Sequence, residues 1–260
     1  MSFISKDELM SKPIKTKIKS VQNHLFDNLA IPVKWDQVME GVRERVCEFL
    51  SKVSHHYSLD DIKTIFDVGS LNGAESYYFA QLLPNCKVWS FEANPVSAKM
   101  VKSNQEEFRH RLFCVEKAVS DRCGEITFYT TPQFPGCDSA LRPLTESVNQ
   151  GWLNSQTVIR PIRVPSVTLE NFCLENRIPS VDLIWMDVQG GELKVIEGMG
   201  NLRPKAIFAE TGKVAHYEGH GMETDITEKL SSMGYVKQNR NRLSYTLDWE
   251  EDNLYILEKA

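Results

Sequence analysis

Asp67-Val68-Gly69-Ser70-Leu71-Asn72-Gly73 follows the apolar run Thr64-Ile65-Phe66, and its reading decides how the rest of the chain is placed. A short apolar run ending in an acid and a glycine has the composition of a parallel strand buried on both faces. The two glycines lie where that strand gives way to a helical pattern from Asn72 to Leu83. Glycine lets a ligand approach the backbone there with no Cβ in the way. In open α/β sheets ligands bind outside the carboxyl ends of the strands, so the segment marks one wall of a crevice.

Working outward, the helix is closed by Pro84-Asn85, and Lys87 to Glu92 reads as the next strand. Pro95 to Arg109 is again helical and Leu112 to Val119 again a strand. This alternation gives βαβ units and a parallel sheet. Glu125 to Thr130 alternates Ile126 and Phe128 against Thr127 and Tyr129, the pattern of an inserted or edge strand. Thr131 to Pro161 has no period and reads as a long loop, a candidate lid or acceptor-binding segment carrying Phe134 and Trp152. The sheet resumes at Asp182 to Asp187, followed by a helix over Glu192 to Glu197, a strand over Ala206 to Glu210 and a helix over Glu223 to Met233. Tyr235 to Gln238 and Asn253 to Glu258 close the pattern as an antiparallel hairpin.

Upstream, Leu25 to His56 is largely helical, with Val38, Val42, Val46, Phe49, Leu50 and Val53 on one face. It is expected to cover one side of the sheet or a substrate pocket, with Trp35 a further aromatic there; a separate helical domain would need a linker, and none is visible. The expected organisation is an N-terminal helical extension over 1–60 and one α/β domain over 61–260.

Composition narrows the function classes. A formal charge of −5 and a pI near 5.8 give no basic field to attract a phosphate backbone, which argues against nucleic acid as partner. No window reaches the roughly 20 apolar residues of a membrane span, and Met1 to Ser20 lacks the apolar core of a secretory signal. The six cysteines are scattered without a Cys-x-x-Cys pair and read as free thiols of a cytoplasmic protein.

Glu92 ends the second strand 23 positions beyond Gly69, close to the ~20-residue spacing of an acid that holds ribose hydroxyls. A dinucleotide site normally shows Gly-x-Gly-x-x-Gly, whose middle glycine admits pyrophosphate, and Ser70-Leu71 departs from that. A phosphate-free nucleoside cofactor fits better. Asp67 is placed to meet a charged amino-acid moiety, which S-adenosylmethionine has; a capping or turn acid is the plainer alternative.

Over about Ile65 to Glu210 the chain resembles the FkbM family of methyltransferases. The pieces that carry the resemblance are Asp67-Val68-Gly69 with Gly73 and Ser76, then Phe91-Glu92-Ala93-Asn94-Pro95, then Ala118-Val119-Ser120-Asp121 with Gly124 and Phe128. Val167-Thr168-Leu169-Glu170, Asp187-Val188-Gln189-Gly190-Gly191-Glu192 with Gly198, and Glu210 complete it. The resemblance implies a Rossmann-like class I methyltransferase sheet, S-adenosylmethionine as donor, and a hydroxyl of a sugar, glycan or small natural product as acceptor. It further implies that Glu92 holds the ribose, that Ala118, Val119 and Asp121 line the adenine, and that Gly69, Ser70, Asn72 and Gly73 pass under the methionine portion. It places Asp187 beside the sulfonium. For Asp121 a turn acid before Gly124 is the competing reading. Leu71 stands where the family usually carries Asn, with Asn72 beside it as a substitute, and Gln189 where it usually carries Glu.

Methyl transfer to a hydroxyl needs alignment and a proton acceptor. The candidates near the strand ends are Asp187, which is favoured, Glu210 and His216; His216 and His220 read equally well as loop histidines. Asp187, Glu192 and Glu210 could ligate a divalent ion, although their spacing does not require one and no metal is expected. The rivals are a non-catalytic S-adenosylmethionine-binding scaffold and a nicotinamide-dependent oxidoreductase. The glycine pattern and the lack of a Tyr-x-x-x-Lys pair argue against the latter.

Overall fold

A computed structural model describes residues 3–12, 35–144, 157–238 and 249–258, with the side chains of 35–38 left out. Part of the expected N-terminal helix before Trp35, the side chain of Trp35, Trp152 and the stretch between the hairpin strands lie outside the described residues.

Seven strands form the main sheet. They are β1 (Thr64–Val68), β2 (Lys87–Phe91), β3 (Leu112–Val115), β7 (Leu183–Met186), β8 (Ala206–Gly212), β9 (Tyr235–Lys237) and β10 (Glu250–Leu257), in the spatial order β3-β2-β1-β7-β8-β10-β9. All neighbours are parallel except at β10, which runs antiparallel to both β8 and β9. The order reverses at β1, so the carboxyl ends of β1 and β7 open onto the crevice that a doubly wound sheet uses for ligands. The central strands are apolar on both faces, as their burial demands: all four residues of β7 are buried.

Successive side chains divide two cores. Ile65, Leu183, Trp185 and Phe208 face one layer with α1 (Lys6–Ser11), α2 (Trp35–Ser54) and α3 (Ala74–Leu82). Phe66, Ile184, Met186 and Ile207 face the other with α5 (Leu169–Asn176), α6 (Glu192–Glu197) and α7 (Glu223–Ser232). On the first face Trp185 and Phe208, paired across β7 and β8, stack at 3.6 Å with Phe49 of α2 edge-on to Trp185 at 5.4 Å. Arg45 of α2 lies 5.4 Å over the Trp185 ring and pairs with Asp252 of β10 at 3.3 Å. The N-terminal segment is thus docked on the sheet: Leu9 is buried, and Arg43 donates to the carbonyls of Met10 and Lys12.

Three features differ from the sequence reading. Leu112 to Val119 is not one strand: β3 ends at Val115, and β4 (Ala118–Val119) leaves for a second sheet with β5 (Gly124–Thr130) and β6 (Arg160–Val167), in the order β4-β6-β5. The loop expected to run to Pro161 gives way at Arg160 to β6, which pairs with β5 along seven positions. Pro95 to Arg109 likewise divides into α4 (Pro95–Asn104) and a 3₁₀ turn over Glu106–Phe108.

Candidate functional site

Gly69 sits at the end of β1 with φ of +84°, and a Cβ there would come within 1.9 Å of the Asp187 carbonyl. The chains leaving β1 and β7 therefore touch backbone to backbone, which only glycine permits. Leu71 follows in the left-handed region at φ of +50°, a conformation costly for a branched aliphatic side chain. The turn is held by Glu92 at the end of β2. One Glu92 oxygen accepts the Leu71 N–H at 2.7 Å and the other the Asn94 N–H at 2.7 Å. Burial pushes the Glu92 carboxyl up to about 8.

Between these elements lies an open cleft. Its wall takes Gly69, Leu71, Glu92, Ala93, Ala118, Val119 and Asp187 from among the strand ends. The sequence reading had named all of these except Leu71. Asp67, Ser70, Asn72, Gly73, Ser76 and Asp121 are not on that wall. Asp67 is buried behind it, where the Ser76 hydroxyl donates to its carboxyl at 2.5 Å and Ser90 lies beside Ser76 at 2.8 Å. Burial, then the nearby Glu75 carboxyl, holds Asp67 well above the usual carboxylate range. Asn72 accepts the Ala74 N–H at 3.0 Å and the Ser70 hydroxyl reaches the Phe91 carbonyl, so both brace the turn. Gly73 caps α3 at φ of +76° against Val101. Asp121 is exposed and takes the Ser120 hydroxyl at 3.0 Å.

Several wall residues were given no site role from sequence. Phe128 of β5 and Asp138 reach the cleft from the second sheet and the loop after it. Asp138 fixes that loop by accepting the Thr131 N–H at 2.6 Å and the Asn94 side-chain amide at 2.7 Å. Phe134 is half-buried in the same loop and does not line the cleft.

At the other end of the cleft Gln189, at φ of +54°, joins two acids. Its amide nitrogen donates to Asp187 Oδ1 at 2.8 Å and to Glu210 Oε2 at 2.8 Å. The amide oxygen lies 3.2 Å from the Tyr217 hydroxyl, and the Ser139 hydroxyl donates to the Gln189 carbonyl at 2.8 Å. An amide here satisfies two carboxyls without adding a third charge. The antiparallel register of β8 and β10 sets Asp252 opposite Glu210 and Glu250 opposite Gly212, so more acids gather at this edge. Glu210 is held well above the usual range by burial and then by Asp187, and Glu250 rises to about 7 for the same two reasons. His216 does not reach the cleft; it lines a second cavity beyond Gln189, and burial lowers its pKa. Among the described residues no group of three metal-type side chains is close enough to hold an ion.

The doubly wound sheet with its antiparallel β10, and a crevice with an acid at the second strand end, define a Rossmann-like α/β domain. The comparisons make this particular: the Methyltransferase FkbM domain matches residues 67–237, and the chain belongs to that family. It is similar to the 2-O-methyltransferase NoeI of Sinorhizobium fredii (strain NBRC 101917 / NGR234), 35% identical over 182 residues that make up 67% of this chain and 73% of that one. It also aligns with the magnesium protoporphyrin IX methyltransferase ChlM of Synechocystis PCC 6803 at 11% identity and a TM-score of 0.49, covering 91% and 89% of the two chains. For the precorrin-6y C5,15-methyltransferase of Geobacter metallireducens GS-15 the values are 12%, 0.47, 93% and 100%. The chain is an S-adenosylmethionine-dependent O-methyltransferase.

Proposed function

We propose that the cleft between the ends of β1, β2 and β7 holds S-adenosylmethionine and that the methyl group goes to a hydroxyl of a sugar, a glycan or a small natural product. The observation that carries the pose is Glu92, a buried carboxyl on the cleft wall already oriented by two backbone N–H groups. Both of its oxygens keep a lone pair for ribose hydroxyls. Ala93, Ala118, Val119 and Phe128 supply apolar wall for a purine, and Gly69 leaves room over the turn. These residues fit the cofactor, which supplies an activated methyl group on a positively charged sulfur. The 2-O-methyltransferase relative supports an oxygen as the methylated atom.

The chain's own part is to orient, to exclude water and to take a proton. As the acceptor oxygen gains its bond to carbon and the carbon–sulfur bond breaks, the hydroxyl proton passes to Asp187. Its Oδ1 is anchored by Gln189, which leaves Oδ2 to the cleft. Glu210, whose carboxyl burial holds well above the usual range, acts as a hydrogen-bond partner of Gln189 and not as the base. The described N-terminal helices α1 and α2 serve this domain as a covering layer on the sheet.

The test is a mass-gain screen of hydroxylated acceptors with S-adenosylmethionine. One methyl should be added to a sugar hydroxyl, and Asp187→Asn should slow that transfer by roughly 10²-fold or more while S-adenosylhomocysteine still binds. No gain on any hydroxylated acceptor would contradict the proposal.

A further inference from the structure

Gln189 has a second side. It also lines a separate small cavity, with room for a group about the size of one water, whose wall includes Glu192, Glu210, His216, His220, Trp249 and Glu250. One side chain thus separates this cavity from the cofactor cleft, so a ligand in it would lie next to the transfer point. Three of its ten wall residues are acids, and no lysine or arginine is among the described residues of the wall. The cations nearby are already engaged: Arg45 pairs with Asp252, and Lys213 with Glu251. The imidazoles add no charge near neutral pH, since burial lowers His216 and takes His220 down to about 4.

Among the buried wall atoms with no hydrogen bond to a described residue are a Glu192 oxygen and the Trp249 indole nitrogen. Glu192 is 1% exposed; its Oε1 accepts the Val188 N–H at 2.9 Å, while Oε2 has no hydrogen bond. The indole N–H of Trp249 has none either. Buried polar groups of this kind cost free energy until something pairs with them. A protonated amine meets the first need, because it brings three donors and a positive charge to acids that burial otherwise keeps neutral. A hydroxyl or ring oxygen beside that amine meets the second by accepting from the indole.

Building on the methyl-transfer reading above, we infer that this cavity is the acceptor subsite and that it takes the ammonium group of an amino sugar or similar amino alcohol. A neutral sugar would bring no positive charge to favour the ionised form of these buried carboxyls. A divalent ion would need a ligand cluster that the described residues do not form.

The experiment is calorimetry on the full chain saturated with S-adenosylhomocysteine, titrated with glucosamine, N-acetylglucosamine and glucose, with and without magnesium and a chelator. Glucosamine should bind at least tenfold more tightly than the two neutral sugars, in chelator as well as in magnesium. Glu250→Gln and Glu192→Gln should each reduce that preference severalfold, with S-adenosylhomocysteine affinity serving as the control for folding. Equal binding of the three sugars would overturn the inference. So would a preference that survives both substitutions, or one that disappears in chelator. Failure of S-adenosylhomocysteine to bind the wild-type chain would overturn the proposed function itself, which is a different result.

Discussion

Gln189 and Leu71 both occupy the left-handed region, for opposite reasons. At 189 the unusual backbone aims an amide between two acids, and the hydrogen bonds to Asp187 and Glu210 offset the strain. Gln189→Glu removes both donors and adds a carboxyl to a crowded edge, so transfer should fall at least tenfold and the pH–rate profile should move to higher pH. An unchanged profile would show that the amide is not shared between the acids. At 71 no side-chain hydrogen bond offsets the strain, and Asn tolerates that conformation better. Leu71→Asn should stabilise the ligand-free chain by about 1 kcal/mol, read as a rise of a few degrees in Tm. At this scale Glu92 and Asp187 were legible, because an acid at a strand end can be read from local pattern. The bridge made by Gln189 was not, because two of its three side-chain partners, Glu210 and Tyr217, lie 21 and 28 positions away and meet it only after β8 and the Tyr217 loop are in place.

Elements meet at two points that single substitutions can probe. Gly69→Ala drives a Cβ into the Asp187 carbonyl and strains a positive φ, so β1 and β7 must part at their ends. A loss of more than about 2 kcal/mol in a denaturant melt, together with weaker cofactor binding, is expected. Arg45→Met removes the charge that faces Asp252 and leaves a buried acid unpaired, at a cost of about 3 to 5 kcal/mol in the same measurement. A loss under 1 kcal/mol would show that α2 is held by its apolar face alone. The main strands were legible because each is a short apolar run between turn residues. β6 was not, because Pro161 and Pro165 lack the N–H of a ladder and argue against a strand. The structure accommodates them because β4 pairs with β6 only at Ser166 and Val167, leaving one side of the proline-bearing stretch without a neighbouring strand. The break between β3 and β4 was equally hidden, since the switch of sheets depends on β6 being there to receive Ala118 and Val119.

For the molecule as a whole, the acids gathered at the carboxyl edge set how stability follows pH. Glu92 and Glu192 have ordinary values of 4.5 and rise to about 8 when folded, so the folded chain binds their protons more tightly than the unfolded one. That contribution is complete below about 4.5 and is lost as pH climbs through about 8. Thermal melts of the ligand-free chain should therefore fall in Tm between about pH 5 and pH 9, and a flat or rising Tm would refute this assignment. The sheet and its crevice follow from patterns within one or two elements, whereas the acidic edge needs β10 to run back beside β8 and set Asp252 opposite Glu210. The central claim is that Glu92 grips the ribose of a sulfonium nucleoside bound over Gly69. Calorimetry of S-adenosylhomocysteine against wild type and Glu92→Ala, with circular dichroism to verify folding, tests it most directly. The wild type should bind, and the folded variant should bind severalfold or more weakly; equal affinity in the two would contradict the pose.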